Sequence, residues 1–490
     1  MGGRVNGSSD PSIVIVGSGF SGLCMAIKLK QAGFDDFAIL EKAGELGGTW
    51  RDNTYPGCAC DVQSHLYSYS FEPNPNWSRM FSPQPEIRAY LRHCADKYGV
   101  SPHIRYDTEV TGAEYDDASR TWRVDIRDGA PITCRAMMFG MGPLHIPHIP
   151  EIPGLERFAG PAFHSARWDH GADLRGKRVA VVGTGASAIQ FVPAIAPEVA
   201  HLDLFQRTPP WIMPKPDRAI SARERALFER FPAAQRARRH AIYWVNESRI
   251  PGFDNPKLMK LAQRVPIRHI ERQIADPELR AKVTPDHTMG CKRTLLSDDY
   301  YPALTRDNVD VITDGVAEIT EDAVVTEDGV AHPADVIIFG TGFHVTDALD
   351  AMRLTGRGGV KLSEAWADGM SAYLGTTVSG FPNMFLLIGP NTGLGHSSMI
   401  FMIEAQVHYI MDCLRLLSRG KAAAMDVRPR VHRRFNESIQ NHLSGTVWAS
   451  GCTSWYLDAN GKNTTVWPGF TWRFWMRTRR ARQADYELIH

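Results

Sequence analysis

Two glycine-rich turns define the chemistry that this chain can carry. The first, GSGFSG at 17–22, follows the apolar run SIVIV at 12–16 and precedes an amphipathic stretch. In the order strand, turn, helix, Gly17 permits the tight turn and Gly19 lets backbone approach a pyrophosphate. Gly22 then lets helix and strand pack closely, with phosphates at the helix N-terminus. Glu41 closes the next apolar run, FAIL at 37–40, where a carboxylate can accept from both ribose hydroxyls of an adenosine. The second turn, GTGASA at 183–188, follows RVAVV at 178–182 and repeats the pattern with Gly183, Gly185 and Ala188. Its following strand, 201–206, ends in Arg207 and Thr208 instead of an acid. A guanidinium and a hydroxyl bind the 2'-phosphate of NADP, which a carboxylate repels, so NADPH is expected over NADH. Two such sites imply a bound flavin, FAD, reduced by a diffusing nicotinamide. The bland readings are a ligand-free turn and a solvated Arg207; strand, spacing and acid together argue against the first.

Between the turns lies FAGPAFHSARWD at 158–169. It resembles the fingerprint of type I Baeyer-Villiger monooxygenases, F-x-G-x-x-x-H-x-x-x-W-[PD], through Phe158, Gly160, His164, Trp168 and Asp169. Related flavin-containing monooxygenases carry another aromatic there and lack the final Pro or Asp. A second signature of the family, [AG]-G-x-W-x(4)-[FY]-P-[GM]-x(3)-D, matches 47–61 and contains Thr49, Trp50 and Asp61. The resemblance implies that these three line the cofactor. It also implies that the fingerprint lies on an interdomain linker, where His164 serves catalysis by transmitting domain closure. Plain linker packing by His164 and Trp168 is the alternative.

The resemblance continues in GCKR at 290–293, followed by LLSDDYY, which is similar to the segment bearing the family's active-site arginine. It makes Arg293 catalytic, Asp61 the carboxylate that holds it, and Lys292 a contact to cofactor phosphate. The chemistry asks for such a residue: a flavin peroxide attacks a ketone only as its anion, so the site needs a charge that cannot protonate it, and guanidinium is one. The stretch 335–343 resembles a second-linker strand closing on the flavin domain, with Gly340 in place of the usual Ala. CTSWY at 452–456, with Asn460 and Lys462 after it, resembles a segment whose tryptophan, here Trp455, faces the nicotinamide ribose. The resemblance runs from about 12 to 470 and is weakest over 219–289.

The elements that must position these residues make an α/β protein: two Rossmann-like dinucleotide-binding domains, for FAD and NADPH, with a helical insertion in the second. The expected boundaries are 1–145 and 341–490 for the FAD domain and 146–340 for the NADPH domain, with the insert at 219–289. Prolines at 232, 251, 256, 266, 277 and 285 divide the insert into short helices, which either cap the ketone site or stabilise the domain. At 490 residues and 43% hydrophobic content the chain is long enough for two or three cores. Lys plus Arg, 55, balance Asp plus Glu, 54, which leaves no field for nucleic acid and points to small partners, a ketone and O2. The eight cysteines, at 24, 58, 60, 94, 134, 291, 413 and 452, lack the C-x-x-C spacing of zinc or dithiol sites. No metal is expected, and reduced thiols of a cytoplasmic protein are.

The leader at 1–12 has no apolar h-region, has Asn6 where a myristoylation signal needs Ser or Thr, and reads as frayed. No run of 18 uncharged apolar residues is present. The C-terminal WRFWMRTRRAR at 472–482 interleaves aromatics with arginine, as either a membrane-surface contact or a basic helix lying on its own protein. The expected reaction is NADPH- and O2-dependent conversion of a ketone to an ester or lactone through a flavin peroxyanion. The alternatives are oxidation of sulfur or nitrogen by the same machinery, a two-electron flavin reductase, and a silent flavin-binding regulator. Cys58 and Cys60 are too close for a reductase's dithiol, and Arg293 with Asp61 argues against silence.

Overall fold

The computed structural model describes residues 10–345 and 352–490; of the leader expected at 1–12, residues 1–9 lie outside them. Ile13–Val16 is buried at every position and stands at the centre of a five-stranded parallel sheet. Its neighbours are Phe37–Leu40 and Ala136–Phe139, with Ile104–Arg105 and Met384–Leu386 at the edges. Runs apolar on both faces belong in a sheet covered on both sides. The strand enters the first glycine turn at Gly17, whose φ of +94° is one that side chains rarely adopt. Helix Phe20–Gln31 starts immediately after, with no acid in its first turn to compete for an anion. A Cβ on Gly22 would stand 1.9 Å from the Gly17 carbonyl oxygen, so this contact exists only for glycine.

The second parallel sheet has the order Val309–Ile312, His201–Phe205, Arg178–Val182, Val336–Phe339, Ala162–His164. Two expectations change here. Val336–Phe339, expected as a linker strand closing on the flavin domain, lies inside this sheet, because its four buried apolar residues need cover on both faces. The fingerprint, which the resemblance put on an interdomain linker, contributes the edge strand: Ile337 pairs with Ala162 and Phe339 with His164.

The 219–289 region is helical, with Ala222–Arg230, Pro232–Glu247, Ile250–Asp254, Pro256–Ala262, Arg264–Gln273 and Pro277–Val283. Pro232, Pro256 and Pro277 begin helices, where a missing N–H costs nothing. Asn255 and Asp276 cap two of them, accepting from the N–H of Lys257 and of Glu278 and Leu279. The insert is fastened to the first domain by Arg239, which donates to the carbonyls of His65, Leu66 and Ser68 at 2.8, 3.2 and 2.9 Å. Beyond the second sheet the chain returns to the first through Met384–Leu386 and the long helix Met399–Gly420, which packs on Phe20–Gln31. Among the described residues no helix is long and apolar enough to cross a membrane.

Candidate active site

Both glycine turns open onto one cavity of about 1240 Å³. Its wall takes Gly17, Gly19, Glu41, Thr49, Trp50 and Asp61 from the first domain, and Gly183, Gly185, Arg207, Thr208, Lys292 and Arg293 from the second, with Trp455 from the C-terminal segment. Gly22 and Ala188 stand behind it and let helix pack on strand; Ala188 is fully buried. The fingerprint residues Phe158, Gly160, His164, Trp168 and Asp169 are not in the wall.

Arg293 and Asp61 meet across 232 positions of sequence. Arg293 Nε donates to Asp61 Oδ2 at 3.1 Å and Nη2 donates to the same oxygen, while Nη1 reaches the Leu394 carbonyl at 3.4 Å. Burial works to raise the Asp61 carboxyl, but the charge and hydrogen bonds of Arg293 outweigh it and hold the acid below its ordinary value. The Asp61 charge in turn raises Arg293 well above an ordinary guanidinium. The result is a cation fixed in orientation and unable to release a proton. Tyr456 is buried beside it, behind the wall, with its phenol in hydrogen-bonding contact with Arg293.

Glu41 is buried and ionised. Burial opposes its charge, but Ser18 donates from N–H and hydroxyl at 2.9 and 2.7 Å, Ala43 N–H at 3.0 Å and Arg51 at 2.8 Å. Arg51 also holds Asp52 at 2.8 Å, and Asp52 lies 3.8 Å from Arg167 of the fingerprint. Elsewhere in the wall, burial and the Arg207 charge lower the Lys292 ammonium and only the Asp286 charge opposes them, so two cations face the cavity and repel one another. Such a pair is built for a phosphate.

His164 is neutral: burial lowers its pKa to about 4 although the Gly342 backbone works against the shift, its Nδ1 accepts from Ala166 N–H at 3.1 Å, and its Nε2 is buried without a well-aligned hydrogen bond among the described residues. It packs edge-on to Phe343, which lines the cavity, with 5.5 Å between centroids. Trp168 packs on Phe163 and Phe191, and Asp169 caps a turn by accepting from Gly171 N–H at 2.8 Å. A Cβ on Gly160 would stand 2.2 Å from the Asp335 carbonyl oxygen. The fingerprint therefore seats the second sheet against the cavity from behind.

The expectation of eight reduced thiols is overturned at two positions, because Cys291 and Cys452 form a disulfide. Spacing arguments detect only close pairs, and these residues stand 161 apart. The other six are free and buried. The bond joins the neighbour of Lys292 to the segment of Trp455, whose ring is 41% exposed at the cavity edge. Sequence reasoning also missed Gln190, which bridges the domains: its Oε1 accepts from Tyr55 Oη at 3.0 Å and Ala59 N–H at 3.2 Å, and its Nε2 donates to the Ala59 carbonyl at 3.0 Å. No signal short of a contact between helix and signature loop would have found it.

Residues 14–247 match a family model described as pyridine nucleotide-disulphide oxidoreductase. A Baeyer-Villiger monooxygenase of Pseudomonas aeruginosa is 53% identical over 479 residues, 97% of this chain and 91% of that protein. Among solved structures, an oxidised steroid monooxygenase bound to NADP is similar at a TM-score of 0.89 and 30% identity, covering 98% of this chain and 99% of that one. OTEMO in complex with FAD and NADP is similar at 0.88 and 28% identity, with the same coverage. A two-Rossmann α/β fold, a charge pair inside the cavity between the domains and relatives of this identity over nearly the whole length lead to one assignment: the chain belongs to the Baeyer-Villiger monooxygenases.

Proposed function

We propose that this chain binds FAD and NADPH in its cavity and uses O2 to convert a ketone into an ester or lactone, with NADPH oxidised and the second oxygen atom leaving as water. The observation that carries the proposal is the Arg293–Asp61 pair in the wall of a cavity that runs from one dinucleotide turn to the other. Two features support the fit to the cofactors: Gly19 and Gly185 leave space in the cavity wall that a Cβ would occupy, and Arg207 and Lys292 present two cations suited to the 2'-phosphate. FAD, once bound and reduced by NADPH, would activate O2, and one atom of that O2 would be inserted beside the carbonyl carbon.

The chain's residues do the rest. Gly17, Gly19 and Gly22 admit the FAD pyrophosphate to the helix N-terminus, Glu41 orders the ribose, and Thr49 and Trp50 close over the cofactor. Gly183, Gly185 and Ala188 do the same for NADPH, with Arg207, Thr208 and Lys292 on its phosphate and Trp455 on the nicotinamide side. Arg293, held by Asp61, stabilises negative charge at the reacting oxygen without donating a proton. His164 positions the second domain through Phe343. Residues 1–145 and 341–490 form the FAD domain, and 146–340 the NADPH domain with its insert. The demand for NADPH favours the cytoplasm as its compartment, and the Cys291–Cys452 disulfide counts against it.

Incubation with NADPH, 18-O2 and a panel of ketones and sulfides tests the reaction. The expected products are esters or lactones labelled at the bridging oxygen, with NADPH consumption matched to product. Unchanged ketones with efficient sulfide oxidation would replace this reading by heteroatom oxygenation, and hydrogen peroxide alone would remove monooxygenation.

A further inference from the structure

The C-terminal helix Thr471–Thr478 shows two faces. Thr471, Phe474 and Thr478 are buried against the protein, while Trp472, Trp475 and Met476 are 38, 42 and 52% exposed. The helix is not a loose tail. Its start is held by the buried Glu247 carboxylate, which accepts from Thr471 N–H at 2.9 Å and Oγ1 at 2.7 Å, and which also meets His396 Nε2 at 3.0 Å. Just past its end, Asp412 accepts from Ala481 N–H at 2.9 Å and His408 Nε2 lies 3.1 Å from the Arg479 carbonyl. A helix seated this firmly does not need apolar residues on its outer face, so their presence there calls for an occupant.

Three observations identify it. First, of the four exposed tryptophans among the described residues, Trp455 belongs to the active cavity, and Trp244, Trp472 and Trp475 all line a separate groove of about 700 Å³. Second, the C-terminal segment carries charge of one sign: from 459 to 484 there is no acid, and Arg473, Arg477, Arg479, Arg480 and Arg482 are exposed, in a chain whose net charge is only +1; the groove beside it adds Lys28, Arg239 and Arg415 against one acid, Glu404. Third, the cations lie over the indole faces, Arg473 at 5.3 Å from the Trp472 ring and Arg479 at 4.9 Å from the Trp475 ring, so aromatic and charge form one surface. Indoles prefer the boundary between apolar and aqueous phases, and guanidiniums beside them meet the anions found at that depth in a phospholipid surface. We infer that the face built from Thr471–Thr478 and the Trp244 end of Pro232–Glu247 docks peripherally on an anionic membrane, lying in the headgroup layer without spanning it. The groove between the tryptophans then receives the acyl boundary.

The test is sedimentation of the full-length, FAD-loaded protein with vesicles of phosphatidylcholine mixed with phosphatidylglycerol, and with phosphatidylcholine alone. Binding to the mixed vesicles should exceed that to the neutral ones by about tenfold or more and should be released by high salt. The double variants Trp472→Ser/Trp475→Ser and Arg479→Glu/Arg480→Glu should each lose about tenfold or more of the binding. Both should keep flavin absorbance, thermal midpoint and vesicle-free NADPH oxidation, since these residues lie outside the active cavity. Absence of wild-type binding to the mixed vesicles, or binding that both variants retain in full, overturns the inference. Concentration-dependent self-association abolished by the tryptophan variant also overturns it, in favour of a second copy of the chain. Ketone turnover is not part of the readout, so this proposal and the proposed reaction fail separately.

Discussion

At the scale of single residues, the Arg293–Asp61 contact separates flavin reduction from oxygen insertion. Arg293→Ala should leave NADPH-driven flavin reduction measurable while ester formation falls about 100-fold or more, the usual loss when a preorganised charge is removed. Stopped-flow absorbance and product assays read the two halves independently; near-normal ester formation would place the essential charge elsewhere. His164 offers a stability test. Its pKa of about 4 lies below its ordinary 6.5, so the unfolded chain takes up the proton first. The stability it contributes is complete above about pH 6.5, declines as pH falls toward 4, and is fully lost below that. His164→Gln should therefore reduce proton uptake on unfolding near pH 5 by about one proton, measured from the pH dependence of urea unfolding. The charge pair was legible because each member sits in a long local pattern, although nothing local joins Asp61 to Arg293. Gln190, Tyr456 and the Cys291–Cys452 bond were not legible, since each acquires its meaning only from a partner placed by the fold.

At the scale of elements, the glycines divide into those that shape the chain and those that leave room for a ligand. Gly22→Ala would drive a methyl to 1.9 Å from backbone, so it should destabilise the first domain severely, with loss of soluble protein or a large drop in thermal midpoint. Gly19 has an extended φ of −79° and would meet nothing closer than 3.7 Å. Gly19→Ala should therefore fold with near-normal circular dichroism yet lose bound flavin on gel filtration, because its methyl occupies cofactor space. Equal loss of fold in both variants would refute this division. The strands and their glycine turns were readable because strict apolar runs admit few placements. The fingerprint's edge strand was not: three residues, one of them exposed, carry too little pattern to reveal a partner that arrives with Ile337–Phe339.

At the scale of the whole molecule, two sheets share one cavity, and coenzyme choice is decided where the second sheet meets it. Arg207→Ala should raise the KM for NADPH by about 10- to 150-fold, equivalent to a charge-assisted contact of about 1.5–3 kcal/mol, and change the KM for NADH little. Equal loss with both coenzymes would remove Arg207 from the phosphate. The Cys291–Cys452 bond has a further consequence at this scale. It closes a covalent ring, and Val336–Phe339 of the second sheet, Met384–Leu386 of the first and the helix Met399–Gly420 all belong to that ring. A protease that severs the backbone once between 291 and 452 should thus produce no fragments until the bond is reduced. On a gel, the nicked enzyme should run as one band without thiol and as two with it, and each Rossmann sheet would be recovered from pieces that the cut alone could not part.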